Sequence, residues 1–141
     1  MKRLSKIYIV ILLFLCLAAT AQAQAQRDKI EELRTAFISK KLELSTSESE
    51  KFWPVYNEFQ DKLKAIKRNL RQGYKNLSPN FTDKEAEDII ALENKSLMAE
   101  AELNKTYNDK LKLIIGIKKL VKLQIYEDEF KKEVINAIKE K

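Results

Sequence analysis

Four basic residues in the middle of the chain have a spacing that could serve in binding. They are separated by four, three and four positions: Lys64, Arg68, Arg71 and Lys75. On an α-helix this spacing places them along one side, next to a stripe of aliphatic residues that includes Leu63, Ile66 and Leu70. A basic surface beside apolar groups attracts acidic, partly unfolded chains over a long range and holds them loosely. An ordinary solvated helix face has the same pattern, so this alternative stays open.

Residues suited to catalysis or metal binding are scarce. The chain has no histidine, and its single cysteine, Cys16, lies near the N-terminus. It has no glycine-rich phosphate loop and no serine and base at a recognisable spacing. Two carboxylate clusters, at Glu85–Asp88 and Glu127–Glu129, could hold a general acid and base, but on helices such clusters are usually solvated surface. We therefore expect no enzymatic activity, no cofactor and no transition metal.

The first 23 residues have the three parts of a secretory signal peptide. The positive charges are Lys2, Arg3 and Lys6. An apolar run at 7–19 follows, and then three overlapping A-x-A sequences. We expect cleavage between Ala23 and Gln24, with sites two residues earlier or later as alternatives, and a mature domain of residues 24–141. A retained anchor is a weaker alternative because a membrane span needs roughly 20 apolar residues. Lipid attachment at Cys16 is weaker still.

Removal of this leader changes the charge of the protein. It takes away three basic residues, which leaves 24 basic against 21 acidic residues and a net charge of +3 instead of +6. A protein this close to neutral has little reason to bind nucleic acid, and we expect no such partner. The mature chain also has no thiol, so no disulfide can form even in an oxidising compartment.

The composition favours helices over sheets. The chain has only two glycines and two prolines, while leucine, isoleucine, alanine, lysine and glutamate dominate. Periodicity and break signals predict about four helices: Arg27 to Leu42, a long helix from Ser45 to a break at Asn76–Asp83, Asp83 to about Ile114, and Ile117 to about Lys139. Gly116 is the expected break between the last two. The predicted fold class is all-α, an elongated helical hairpin that dimerises through its apolar stripes.

Two capping boxes mark helix starts. Ser45 with Glu48, and Thr82 with Glu85, have the spacing at which a hydroxyl caps a backbone N–H and a glutamate reaches back to the capping residue. Pro54 would then lie inside the second helix and kink it. The alternative is a helix that starts near Trp53, with Pro54 in its first turn.

The apolar residues of each helix predict a core. In the second helix they are Phe52, Tyr56, Phe59, Leu63, Ile66 and Leu70. In the third they are Ala86, Ile90, Leu97, Ala101, Leu111 and Ile115, with Tyr107 close by. The first and last helices contribute Ile30, Leu33, Phe37, Leu42, Leu120, Leu123, Phe130, Val134 and Ile138. Glu93, Glu100 and Asn104 interrupt the stripe of the third helix, so its buried face stays open.

Several motifs resemble one protein family. Leu44-Ser45-x-x-Glu48 and Phe81-Thr82-x-x-Glu85 are similar to the L-T-x-x-Q motif of the Spy/CpxP superfamily. The run Phe52-Trp53-Pro54-Val55-Tyr56-Asn57-Glu58-Phe59 is similar to the F-W-P-x-Y-N-E-[FY] run of its Bacteroidetes branch, whose members are often labelled sensors of ECF-type sigma factors. Residues 118–133 resemble the closing helix of that branch. Serine for threonine and glutamate for glutamine keep the capping chemistry, whereas Phe81 for leucine departs from the motif.

The resemblance implies a curved, dimeric helical hairpin in the periplasm that shields unfolded envelope proteins without ATP. One alternative is a signalling accessory that binds one folded regulator, such as a sensor kinase or an anti-sigma factor in the membrane. Another is an envelope structural protein with no client. The metal-binding residues of metal-responsive relatives are missing here. The residues expected to contact a client or partner are Phe52, Trp53, Lys64, Arg68, Arg71 and Lys75. Trp53 lies one position off the core stripe, so packing against another helix is an equal alternative for it.

Overall fold

The computed structural model describes residues 28–139, which form three helices with no strand among them. Helix α1 occupies 28–42, α2 is Thr46–Lys75 and α3 is Asp83–Lys139. The all-α prediction is confirmed, but the helices number three rather than about four. The predicted break at Gly116 is a kink inside α3, where φ is 76° and ψ is 161°. The expected signal peptide, with its cleavage site between Ala23 and Gln24, lies outside the described residues.

The connection between α1 and α2 is three residues long. Glu43 has a φ of 51°, the left-handed conformation that often ends a helix. Ser45 then caps α2, which continues through Pro54. The second helix therefore starts at Thr46, and the alternative start near Trp53 is wrong.

A second connection, at residues 76–82, separates α2 from α3. Asn76 caps the C-terminus of α2, where its N–H donates to backbone carbonyls of the last turn. This connection agrees with the break predicted from Ser78-Pro79-Asn80, because proline and asparagine favour turns over helix.

Helices α2 and α3 pack as an antiparallel hairpin. Tyr74, near the end of α2, hydrogen-bonds Glu93, near the start of α3. The ring centroids of Phe59 and Tyr107 lie 5.3 Å apart further along. Glu48, in the first turn of α2, pairs with Lys119. Residues earlier in α2 thus contact residues later in α3, which is the antiparallel arrangement of an αα-hairpin.

Two compact units make up the chain, and the hairpin belongs to the one that comprises Leu42–Tyr126. Its buried apolar residues come from α2, from α3 and from the end of α1: Leu42, Phe52, Tyr56, Phe59, Tyr107, Leu111, Ile115, Leu120 and Leu123. Each aromatic or aliphatic side chain of this kind contributes about 1.5–3 kcal/mol when fully buried. This core stabilises the helix on which the candidate surface lies.

The other unit comprises Met1–Lys41 and Glu127–Lys141, of which the structure describes residues 28–41 and 127–139. Phe37 and Phe130 pack with their ring centroids 5.5 Å apart. Lys41 and Glu129 form an ion pair of 3.1 Å. Ile38 is completely buried, although the predicted stripe of the first helix did not include it. Leu33, which was in that stripe, is exposed.

The buried face of α3 agrees with the prediction at Tyr107, Leu111 and Ile115, but it differs in the first half of the helix. Ile90 and Leu97 were expected in the core, yet 56% and 65% of their surfaces are exposed. Ser96 is buried instead, and Glu93 and Glu100 are half-buried on the same side. The prediction differs there because Glu93 and Glu100 were taken as interruptions of the core, whereas both are half-buried on its side of the helix; Asn104, the third expected interruption, is exposed. Ile138, in the last turns of α3, is also exposed where burial was expected.

None of the helices within residues 28–139 is both long and apolar enough to cross a membrane. Over the same residues, no group of three or more acidic, histidine or cysteine side chains is arranged to hold a metal ion.

Candidate binding surface on helix α2

Both helices of the hairpin begin with a complete capping box. The Glu48 backbone N–H donates to the Ser45 hydroxyl at 3.2 Å, and the Ser45 N–H donates to the Glu48 carboxylate at 2.8 Å. At the start of α3 the corresponding distances between Thr82 and Glu85 are 3.3 and 2.7 Å. A cap of this kind contributes about 1 kcal/mol and sets where the helix begins. The spacing read from the sequence therefore positions both helices.

Lys119 reinforces the first of these boxes from α3. Its ammonium group donates to both carboxylate oxygens of Glu48, at 2.9 and 2.8 Å, and to the backbone carbonyl of Glu43 at 3.0 Å. The hydrogen bond from Lys119 is the main reason that the pKa of Glu48 is lowered, and the Ser45 N–H adds to it. A single lysine thus joins the connection before α2, the first turn of α2 and α3.

An aromatic cluster follows the cap. The rings of Phe52 and Tyr56 stack with centroids 5.2 Å apart, and the Trp53 ring meets each of them edge-on at 4.9 and 5.4 Å. Phe52 has no exposed surface, so it is a core residue here and leaves the set of expected contact residues. Trp53 is half-buried, so it both packs in the cluster and keeps one part of its ring accessible.

The four basic residues predicted as contacts are all exposed on α2. Lys64 interacts with a neighbouring group. Arg68, Arg71 and Lys75 make no ion pair with any residue from 28 to 139. Between Lys62 and Lys75 the helix carries six basic residues and no acidic residue. The structure therefore presents three uncompensated positive charges within about two turns of one helix.

Two neighbouring basic groups of α2, Lys62 and Lys67, are compensated. Lys62 pairs with Glu58 at 2.8 Å, one turn away, and Lys67 reaches Glu100 on α3 at 3.9 Å. The Tyr74 hydroxyl is bonded to Glu93, which raises the pKa of Tyr74. Glu58 and Glu100 thus compensate Lys62 and Lys67, and the excess positive charge of this part of α2 lies at Arg68, Arg71 and Lys75.

Apolar groups accompany these charges. Leu63, Ile66 and Leu70 are half-buried along the edge between the hairpin core and solvent. Leu63 and Leu70 directly precede Lys64 and Arg71 in the sequence, so each differs in direction from its basic neighbour by about 100° around α2. We call Lys64, Arg68, Arg71, Lys75 and these three aliphatic residues the α2 surface.

A buried tyrosine lies close to the same helix. The Tyr107 ring packs on Phe59, and the ammonium groups of Lys110 and Lys62 lie 4.5 and 5.4 Å from its centroid. Its hydroxyl is buried and makes no hydrogen bond of acceptable geometry. It nevertheless lies near Glu58. The pKa of Glu58 is lowered mainly by the hydrogen bond from Lys62, and this hydroxyl lowers it further.

A shallow cavity of about 260 Å³ lies at the tip of the hairpin. Gly73, on its wall, lets side chains of α3 approach α2 closely, since a β-carbon there would lie 2.5 Å from a methyl carbon of Leu92. Glu85 on its rim is engaged in the cap of α3, and Asp88 is paired with Lys84 at 3.4 Å. The cavity therefore offers apolar surface without a free catalytic group among its described residues.

The sequence had not indicated the roles of Lys119, Glu93 and Glu100. All three act across the hairpin, on partners 71, 19 and 33 positions away. These pairs can be identified only once the register of the two helices is known, because an antiparallel pairing that aligns Phe59 with Tyr107 also aligns Lys67 with Glu100.

Comparisons of this chain with protein-family models, curated proteins and solved structures find no match. The resemblance to the Spy/CpxP superfamily therefore stays a prediction that rests on the quoted motifs.

Proposed function

We propose that this protein is an exported, ATP-independent chaperone that binds unfolded envelope proteins on the α2 surface. The observation that carries the proposal is the set of exposed positive charges at Arg68, Arg71 and Lys75, which have no ion-pair partner within residues 28–139 and adjoin partly exposed aliphatic side chains. Compartment and client class follow from the predicted signal peptide and the motif resemblance.

The positive charge would act at long range. At physiological ionic strength, charges interact over about 8 Å, so a cluster of unpaired cations attracts acidic segments before contact. Exposed ionic contacts are individually weak, and a client held by them can leave without an energy source.

The apolar edge would act at short range. Leu63, Ile66 and Leu70 each keep part of their surface accessible, and unfolded chains expose similar groups that folded proteins bury. Half-exposed side chains bury less surface in a complex than open ones, so the contact is weak enough to be reversible. The accessible part of Trp53 extends the same kind of contact toward the start of α2.

Aggregation suppression tests this proposal. Light scattering of a chemically reduced client is followed with increasing amounts of the protein at low and at high salt. The variant carries Gln at Lys64, Arg68, Arg71 and Lys75. At about 0.4 kcal/mol for each exposed ionic contact, we expect client binding to weaken roughly tenfold at low salt and to change little at high salt.

A matched variant removes the same charge elsewhere. Lys40, Lys51, Lys95 and Lys105 are also exposed, and their replacement by Gln is expected to preserve protection. Equal protection by both variants at both salts would refute the role of the α2 surface. Recovery of one folded regulatory protein, with no effect on client aggregation, would instead favour the signalling accessory.

We also propose that the protein is a homodimer. Ile90, Leu97 and Met98 lie on the outward side of α3 and are 56%, 65% and 74% exposed, so a second copy would cover an apolar stripe that this chain leaves open. Analytical ultracentrifugation of the protein and of the variant Ile90→Gln/Leu97→Gln tests this. A wild-type protein that sediments as a monomer would refute it.

A further inference from the structure

Residues 110–126 of α3 combine positive charge and apolar character more strongly than the α2 surface does. This segment of 17 residues contains five lysines and no acidic residue. Nine of its residues are leucine, isoleucine or valine. Asp109 precedes it and Glu127 follows it, so the acid-free run has sharp limits.

The apolar residues of the segment point in two directions. Leu120 and Leu123 are buried in the hairpin core, with 5% and 3% of their surface exposed. Ile117, Val121 and Ile125 recur every four residues on a different side of the helix, and more than half of each is exposed. We call these three residues the outer stripe. They extend over about 12 Å of helix.

Lysines flank the outer stripe. Lys118 and Lys122 directly follow Ile117 and Val121 in the sequence, so both lie along one edge of the stripe. Both are exposed and make no ion pair with residues 28–139. Just before the kink, Lys112 is exposed as well, and Leu113 is 85% exposed. The segment therefore presents aliphatic side chains and uncompensated cations to the same solvent.

The charge limits what can cover this stripe. A second copy paired through the same segment would bring Lys112, Lys118 and Lys122, which have no ion-pair partner within residues 28–139, against their counterparts, which costs energy without acidic residues to offset it. An acidic peptide would satisfy the charge, but peptides usually dock in grooves, and the outer stripe projects from a helix. A surface that is both anionic and able to admit projecting aliphatic groups is a lipid bilayer with acidic headgroups.

We propose that residues 110–126 attach the protein to the surface of an anionic lipid bilayer. Ile117, Val121 and Ile125 enter the boundary between headgroups and acyl chains, while Lys118 and Lys122 contact lipid phosphates. The buried side of α3 keeps its contacts in the hairpin, so attachment requires no unfolding. The α2 surface takes no part, and this proposal stands independently of the chaperone function.

Vesicle co-sedimentation tests the attachment. The full chain is mixed with vesicles of phosphatidylcholine alone or with about one third phosphatidylglycerol, at about 50 and 500 mM salt. We expect binding to the anionic vesicles at low salt only. The variant Lys118→Gln/Lys122→Gln is expected to bind roughly 30-fold more weakly, since each lysine near an anionic surface contributes about fivefold in affinity.

Matched variants separate this segment from other causes. Lys95→Gln/Lys105→Gln removes the same charge from exposed positions of α3 and is expected to bind as the wild type does. Val121→Gln/Ile125→Gln is expected to lose binding, whereas Ile135→Gln/Ile138→Gln, also exposed, is expected to keep it. The apolar run at 7–19 is common to all variants, so it cannot account for a difference among them.

Three results would overturn the proposal. They are no binding of the wild type to anionic vesicles, binding that neither segment variant weakens, and dissociation of a dimer by Val121→Gln/Ile125→Gln. If a variant loses helix content by circular dichroism, Val121→Trp is used instead, with Lys95→Trp as its control. On adding anionic vesicles, a blue shift of the tryptophan emission is expected for Val121→Trp and not for Lys95→Trp. An equal shift, or no shift, in both variants would refute insertion of the outer stripe.

Discussion

The buried hydroxyl of Tyr107 leads to a quantitative prediction. The side chain is 2% exposed, its ring is packed on Phe59, and its hydroxyl lacks a hydrogen bond of acceptable geometry. A buried polar group without a partner costs about 1–3 kcal/mol in lost hydration. Tyr107→Phe removes this cost and keeps the ring together with its contacts to Lys62 and Lys110. Part of the gain is offset because the hydroxyl also lies near the charged Glu58.

We therefore expect Tyr107→Phe to raise the free energy of unfolding by about 1 kcal/mol, which corresponds to about 4 °C in the melting temperature of a domain of this size. Urea denaturation followed by circular dichroism measures the change. The control is Tyr74→Phe, because the Tyr74 hydroxyl has a partner in Glu93 and its loss should lower stability. Tyr107→Leu, which removes the ring, should cost about 2–4 kcal/mol. A loss of 1 kcal/mol or more in Tyr107→Phe would show that the hydroxyl is hydrogen-bonded, and would refute the reasoning.

Three further predictions concern the backbone and the helix cap. Gly116→Ala should destabilise the protein by about 1–3 kcal/mol in thermal melts, because its φ of 76° strains any residue with a β-carbon; no loss would mean that α3 straightens there at little cost. Gly73→Ala should be nearly neutral in the same melts, since its β-carbon displaces only the mobile end of Leu92, whereas Gly73→Val should cost about 1–3 kcal/mol by overpacking. The pKa of Glu48 is lowered in the folded protein, so the contribution of this carboxylate to stability is complete above the usual pKa of 4.5 and is lost as the pH falls through the lowered pKa. Glu48→Gln and Lys119→Gln should therefore each reduce the decrease in unfolding free energy that urea denaturation measures between about pH 7 and 3. An unchanged slope in both variants would contradict the role of this pair.

The features that could be read from the sequence are those with local causes. The capping residues Ser45 and Thr82 act on backbone groups three positions away, so their spacing alone defines the starts of α2 and α3. The basic residues of α2 are exposed as expected, because a charge without a partner favours water. The strained backbone of Gly116 also follows from the residue itself, although the helix continues beyond it as one element.

The features that the sequence did not predict depend on the partner helix. The buried side of α3 includes Ser96 and the half-buried Glu93 and Glu100, whose hydrogen bond and ion pair come from α2. A rule that assigns apolar residues to the core therefore predicted the wrong buried face for this part of α3 and placed Ile90 in the core. Phe52 was predicted both in the core stripe of α2 and as a contact residue, and its complete burial confirms the first of these predictions.

The contact from Lys119 to Glu48 links the start of α2 to the packing of α3. A capping box ordinarily forms within one turn, but here the glutamate is also held by a residue 71 positions along the chain. Fraying at the start of α2 and separation of the two helices are then coupled, because either event breaks the same contact. The Glu48 amide proton should consequently exchange faster in Lys119→Gln than in the wild type, so a local signal for helix initiation also reports a long-range contact.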